Sequence, residues 1–89
     1  MEKYIQDFIT YMDIEQKISY NTKISYERDL KKVFEYLRQA GISDLDEITE
    51  TDINSYILFL ETKGFSSATI SRNITSLKKF FHYIMKKFF

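Results

Sequence analysis

Residues 66–84, which read SSATISRNITSLKKFFHYI, decide the fold. Their apolar side chains recur at helical spacing over four turns. These positions are Ile70, Ile74, Leu77, Phe81 and Ile84. Ser66 is suited to cap this helix, and Gly64 marks the end of the element before it. The pattern predicts a helix over residues 67–87 that buries one face.

The same periodicity predicts three more helices upstream, at about 2–16, 22–40 and 50–63. Asn21 is the expected N-cap of the second helix, Gly41 its left-handed end, and Thr49 the cap of the third, with Asp52 in its first turn. The predicted buried stripes are Ile5, Phe8, Ile9 and Met12 in the first helix, Tyr26, Leu30, Val33, Phe34 and Leu37 in the second, and Ile53, Tyr56, Ile57 and Leu60 in the third. We therefore predict an all-α fold, a compact four-helix bundle.

Composition supports one small helical domain of 89 residues, since proline is absent and only two glycines occur. The absence of cysteine excludes disulfides, Cys-ligated zinc and thiol nucleophiles. No apolar run approaches the length of a membrane span, and no signal peptide is recognisable, so we expect a cytoplasmic protein with no membrane partner. The helical pattern continues through residues 84–89, so we expect this chain to be an amino-terminal module excised from a longer protein.

Charge is segregated along the chain although the net charge is zero. The first and third helices are acidic, whereas residues 17–41 and 66–89 are basic. The last segment holds five Lys or Arg residues and no acid. A helical wheel puts six of its side chains on one face, predicted to be exposed and opposite the apolar stripe. They are Thr69, Arg72, Ser76, Lys79, Tyr83 and Lys86.

Cations mixed with short hydroxyls suit phosphate oxygens, and Arg72 offers a fork for a guanine edge. Two alternatives stay open on charge alone. A charge run is often only the solvated side of a helix, and a basic face can also bind an acidic protein partner.

Three segments resemble the core-binding, SAM-like domain of tyrosine recombinases and phage integrases. Residues 18–30, ISYNTKISYERDL, resemble the family's opening motif of Ser, Thr, Tyr and Asp-Leu at fixed spacing. Residues 64–83, GFSSATISRNITSLKKFFHY, resemble its last helix, and residues 48–53, ITETDI, resemble the start of its third. The three lie in the family's order with matching lengths and cover nearly the whole chain.

The resemblance implies the amino-terminal half of a clamp around double-stranded DNA, with the second and fourth helices across the major groove. By position it implies eight DNA-contacting residues. They are Thr22, Lys23, Ser25 and Arg28 in the second helix, and Thr69, Arg72, Ser76 and Lys79 in the fourth. It also implies two protein partners, namely a carboxy-terminal catalytic domain absent from this sequence and neighbouring protomers assembled on DNA.

We expect no catalytic residue, cofactor or metal in this chain. The family's catalytic set of arginines, lysine, histidines and tyrosine lies in its other domain, and no His-x-x-Arg motif occurs here. His82 is expected at the surface or its boundary. The carboxylates between residues 44 and 52 lack the spacing of a calcium loop and are better explained by helix capping and solvation. This inventory disfavours a free-standing enzyme.

Overall fold

The computed structural model describes residues 2–88 and contains four α-helices within them. They are α1 (Glu2–Glu15), α2 (Tyr20–Gln39), α3 (Glu50–Thr62) and α4 (Ser67–Phe88), with one 3-10 turn, Leu45–Glu47, before α3. No strand occurs in this part of the chain. The predicted all-α class is confirmed, and each helix boundary falls within two residues of its prediction. Phe89, which ends the run that suggested a longer chain, lies outside the described residues.

The start of α2 corrects one prediction, because the N-cap is Ser19 and not Asn21. Ser19 has extended backbone angles, and its hydroxyl oxygen accepts the N–H of Thr22 over 3.2 Å. Asn21 already lies in the first turn of the helix. The helix therefore begins two residues earlier than predicted, since Ser19 satisfies a free N–H of the first turn.

The caps predicted for α3 and α4 are confirmed. At α3, the Thr49 hydroxyl accepts the N–H of Asp52 over 3.3 Å, and the Asp52 carboxylate accepts the N–H of Thr49 over 2.8 Å. At α4, the Ser66 hydroxyl accepts the N–H of Thr69 over 3.2 Å. The two helices that the resemblance assigns to DNA, α2 and α4, thus share one Ser-x-x-Thr cap.

α2 and α4 form the centre of the bundle, because each packs against all three other helices. α1 and α3 lie on either side of this pair and do not contact each other within residues 2–88. Phe80 of α4 sits between Phe8 of α1 and Phe34 of α2, with ring centroids 5.5 and 5.3 Å away. All three rings are buried, and their volume fills a core that few residues can supply.

The stripes predicted for α1 and α2 are buried apart from Tyr26, which is half-buried. In α3, Tyr56 and Leu60 are buried, whereas Ile53 and Ile57 are half-buried. The three apolar residues of the segment between α2 and α3, at positions 42, 45 and 48, are half-buried and pack against the core. The predicted core is thus largely confirmed outside α4.

In α4 the buried face is wider than predicted and rotated toward α2. Ser76 and Tyr83, expected at the surface, are 0% and 6% exposed. Phe80 is fully buried, whereas Ile70, Ile74 and Phe81 of the predicted stripe are only half-buried. The reason is that α4 contacts three neighbours, so its buried arc extends over polar as well as apolar positions.

Gly41→Ala should lower the free energy of unfolding by about 1 kcal/mol, because Gly41 has a φ of +88° that L-residues adopt at a cost. The N–H of Gly41 donates to the backbone carbonyl of Arg38, and the N–H of Ile42 donates to that of Leu37. Nothing lies within 4 Å of a Cβ built at this position, so the cost is conformational rather than steric. Urea denaturation measures the change.

Gly41→Asn is the matched control, since asparagine tolerates positive φ better than alanine does. We expect it to retain more stability than Gly41→Ala. An alanine variant as stable as the wild type would mean that this turn relaxes to another conformation.

Candidate nucleic-acid interface

Asp29 of α2 and Arg72 of α4 form an ion pair where the two helices meet. Arg72 donates from Nε to Oδ2 of Asp29 over 2.8 Å and from Nη2 to Oδ1 over 3.0 Å. The Ser76 hydroxyl donates to Oδ2 over 3.3 Å. The Asp29 side chain is 1% exposed, whereas the Arg72 side chain is 37% exposed. The hydrogen bond to Asp29 raises the pKa of Arg72, and the pair joins α2 to α4 where their junction reaches the surface.

A second buried polar contact joins α3 to α4. The Tyr56 hydroxyl donates to Oδ1 of Asn73 over 3.0 Å, and Nδ2 of Asn73 donates to the backbone carbonyl of Thr69 over 2.8 Å. Tyr56 and Asn73 are at most 1% exposed. Burial raises the pKa of the Tyr56 phenol, and the negative charge of Asp29 raises it further. The fold therefore holds this phenol in its neutral form.

The four residues predicted to contact DNA from α2 lie in its first half. Thr22, Lys23 and Ser25 are half-buried, whereas Arg28 is exposed and makes no ion pair within residues 2–88. Nζ of Lys23 lies 3.4 Å from Oδ2 of Asp13, and this exposed pair is of the kind that contributes little to stability. All four side chains are at least partly accessible to solvent.

The four residues predicted to contact DNA from α4 do not share one exposed face. Thr69 is half-buried, Lys79 is exposed, and Arg72 is partly exposed at its pair with Asp29. The predicted exposure of Ser76 is wrong, because this side chain is fully buried and bonded to Asp29. Ser76 contributes to helix packing, and a ligand at the protein surface cannot reach its side chain.

The cations of the second half of α4 form a positively charged surface. Lys78, Lys79 and Lys86 are exposed and have no ion-pair partner in the described part of the chain. They line an open cleft of about 560 Å³ together with His82 and residues from the end of α1. His82 is exposed, as predicted. α4 itself contains no acidic residue that would offset these charges.

Two of the acidic residues between positions 44 and 52 cap helix ends. The Glu47 carboxylate accepts the N–H of Asp44 over 3.0 Å, and Asp52 caps α3 as described. Among residues 2–88, no three His, Asp or Glu side chains are grouped so that they could hold a metal ion. No helix in that range combines the length and the apolar character needed to cross a membrane. The predicted capping role is confirmed for Glu47 and Asp52.

Sequence reasoning missed the buried polar groups Asp29, Asn73 and Ser76. One signal for the burial of Asp29 was available, because this residue lies close to the predicted buried stripe of the second helix. On a helical wheel it lies about 40° from Val33, which is also in that stripe. A carboxylate among buried positions requires a cationic or hydrogen-bonding partner from a neighbouring helix.

A family comparison identifies the class of this fold. Residues 5–87 match the model of the phage integrase N-terminal SAM-like domain. The match covers nearly the whole chain, so this chain belongs to that family. No solved structure matches the chain.

The most similar curated proteins include tyrosine recombinases. The chain is 36% identical over 86 residues to tyrosine recombinase XerD of Listeria monocytogenes, and the aligned region covers 96% of this chain and 29% of that protein. It is 35% identical to XerD of Oceanobacillus iheyensis, with 98% and 30% covered. It is 32% identical to XerC of Listeria welshimeri, with 96% and 28% covered. The chain therefore spans less than a third of the length of these relatives.

Tyr56→Phe should flatten the loss of stability at high pH. Above about pH 10 the unfolded chain releases the Tyr56 proton, whereas the folded chain still holds it. The unfolded state then binds fewer protons, and the free energy of unfolding falls by up to about 1.4 kcal/mol per pH unit as pH rises. Urea denaturation between about pH 9 and about pH 11 measures this slope.

Tyr20→Phe is the matched control, because the Tyr20 ring is 74% exposed. Its hydroxyl meets solvent in both states, so its slope should equal that of the wild type. If the Tyr56→Phe and Tyr20→Phe slopes agree, burial of Tyr56 has no effect on alkaline stability.

Proposed function

We propose that this chain binds double-stranded DNA through α2 and α4, as the non-catalytic amino-terminal domain of a tyrosine recombinase. The observation that carries the proposal is the concentration of unpaired, exposed cations on α4, a helix without a single acidic residue. Arg28 adds an unpaired cation on α2. Each cation that neutralises a phosphate releases a counterion condensed on the DNA, and this release favours binding.

The proposed contact residues follow the family positions, without Ser76. They are Thr22, Lys23, Ser25, Arg28, Thr69, Arg72 and Lys79. Thr22 and Thr69 occupy equivalent positions in the first turns of α2 and α4, where N–H groups and the helix dipole favour an anion. Lys23 can exchange its exposed partner Asp13 for a phosphate at little cost, since such pairs contribute little.

In this proposal the domain supplies affinity and orientation, and a further domain breaks and joins the strands. Support comes from coverage, because the chain spans 28–30% of relatives that are named as recombinases. Attack by a tyrosine hydroxyl on a DNA phosphate needs cations and acid–base groups around that phosphate. We propose that this set lies on the further domain and that neighbouring protomers assemble on the DNA.

An NMR titration of the isotope-labelled chain with a generic duplex tests the proposal. We expect amide shifts at residues 22–28 and 69–79 that diminish as salt is raised. Shifts confined to α1 and α3, or none at low salt, would contradict it. A titration with an acidic polypeptide is the control, because a protein-binding basic face would respond more strongly to that partner than to DNA at the same salt concentration.

Lys79→Ala should reduce the steepness with which DNA affinity falls with salt. If Lys79 neutralises one phosphate, the slope of log affinity against log salt becomes less negative by about 0.9. Lys63→Ala is the matched control, since Lys63 is an exposed lysine at the end of α3 and is not among the proposed contact residues. Fluorescence anisotropy over a range of salt concentrations measures both slopes. Equal changes in the two variants would contradict the assignment of the surface.

A further inference from the structure

The ion pair between Asp29 and Arg72 leaves part of the guanidinium unused. A guanidinium has five N–H donors in one plane. Asp29 accepts from Nε and from Nη2, which lie on one side of the group. The remaining donors are one N–H of Nη2 and both of Nη1. One donor from each of these two nitrogens points parallel along the outer edge, and this edge makes no hydrogen bond within residues 2–88.

The side chain that carries this edge is fixed in place and open to solvent. Asp29 is 1% exposed and is also bonded to Ser76, so its carboxylate cannot swing away without losing three hydrogen bonds. Arg72 is 37% exposed, which leaves its outer edge accessible. An arginine that is held in this way loses little conformational entropy when its outer edge binds a ligand.

The charge of the pair bears on what that edge binds. Asp29 offsets the positive charge of Arg72, so the pair attracts a phosphate more weakly than an unpaired lysine does. Hydrogen-bond geometry is unaffected by this offset. Two parallel donors match O6 and N7 of guanine in the major groove, which is the commonest specific contact of arginine with DNA. The unpaired cations Arg28 and Lys79 remain better phosphate ligands.

We propose that Asp29 is a positioning residue that presents the outer edge of Arg72 to a guanine, so that Arg72 reads sequence while the unpaired cations hold the phosphate backbone. This inference rests on the proposed DNA-binding function and deepens it. It divides the surface into one base-reading side chain and several that contribute affinity without sequence preference.

The test begins with a library of duplexes that contain a randomised window, from which the duplexes that bind the wild-type chain are selected. We expect a guanine to be enriched at one position. Replacing it with 7-deazaguanine, which lacks the N7 acceptor, should weaken wild-type binding by at least about five-fold. Circular dichroism melting of every variant verifies that it is folded at the temperature of the binding assay.

Two variants test whether the outer edge of Arg72, as Asp29 holds it, makes this contact. The double variant D29N/R72Q keeps the net charge and allows a hydrogen bond between the side chains, but it removes the outer guanidinium edge. Arg72→Lys keeps the positive charge beside Asp29 and also removes that edge, and it serves if the double variant does not fold. We expect D29N/R72Q to lose the five-fold effect of 7-deazaguanine and Arg72→Lys to reduce it, because a lysine presents no pair of parallel donors but can still donate to N7. D29N/R72Q should keep the wild-type salt slope, whereas Lys79→Ala should not.

Three results would overturn the proposal. They are selection without an enriched guanine, a 7-deazaguanine effect that persists undiminished in the variants, and a salt slope that becomes less negative by about 0.9 in D29N/R72Q. In each of these cases the chain still binds DNA, so the proposed function survives. A wild-type chain that fails to bind any duplex at low salt overturns both proposals together.

Discussion

The buried carboxylate of Asp29 is the constraint on which the arrangement of the helices depends. An unpaired charge in the core would cost several kcal/mol, so α2 and α4 must meet in a register that brings Arg72 and Ser76 to this carboxylate. Aromatic packing between the same helices is far less demanding of register, since rings make favourable contacts at several offsets. Once α2 and α4 are fixed, α1 and α3 each dock against both.

Much of the fold was predictable because its signals are local. Apolar spacing, two glycines with positive φ and the caps at Thr49 and Ser66 located four helices to within two residues. The start of α2 was missed because Ser19 and Asn21 are both good capping residues, and the choice depends on backbone angles that composition does not specify. The buried arc of α4 was misjudged because a helical wheel counts apolar residues and not neighbouring helices.

The candidate site was harder to predict, since its central feature joins residues 43 positions apart. The sequence indicated which helices are basic, and it correctly put Arg28 and Lys79 at the surface. It could not distinguish a free arginine from one held by a buried acid, because both have the same local pattern. Ser76 was misassigned for the same reason, since a hydroxyl beside cations suits a phosphate as well as it suits a carboxylate.

The separation of α1 from α3 has a consequence for a chain whose charges sum to zero. Both helices are acidic and lie on opposite sides of the basic pair α2 and α4. A polyanion is therefore repelled by α1 on one side and by α3 on the other, and it is attracted only by the basic helices α2 and α4 between them. Such a distribution selects an angle of approach instead of increasing the rate of encounter, because attraction to a neutral body fades within about one Debye length of 10 Å. Acidic helices on both sides therefore make complexes of a polyanion in other orientations unfavourable.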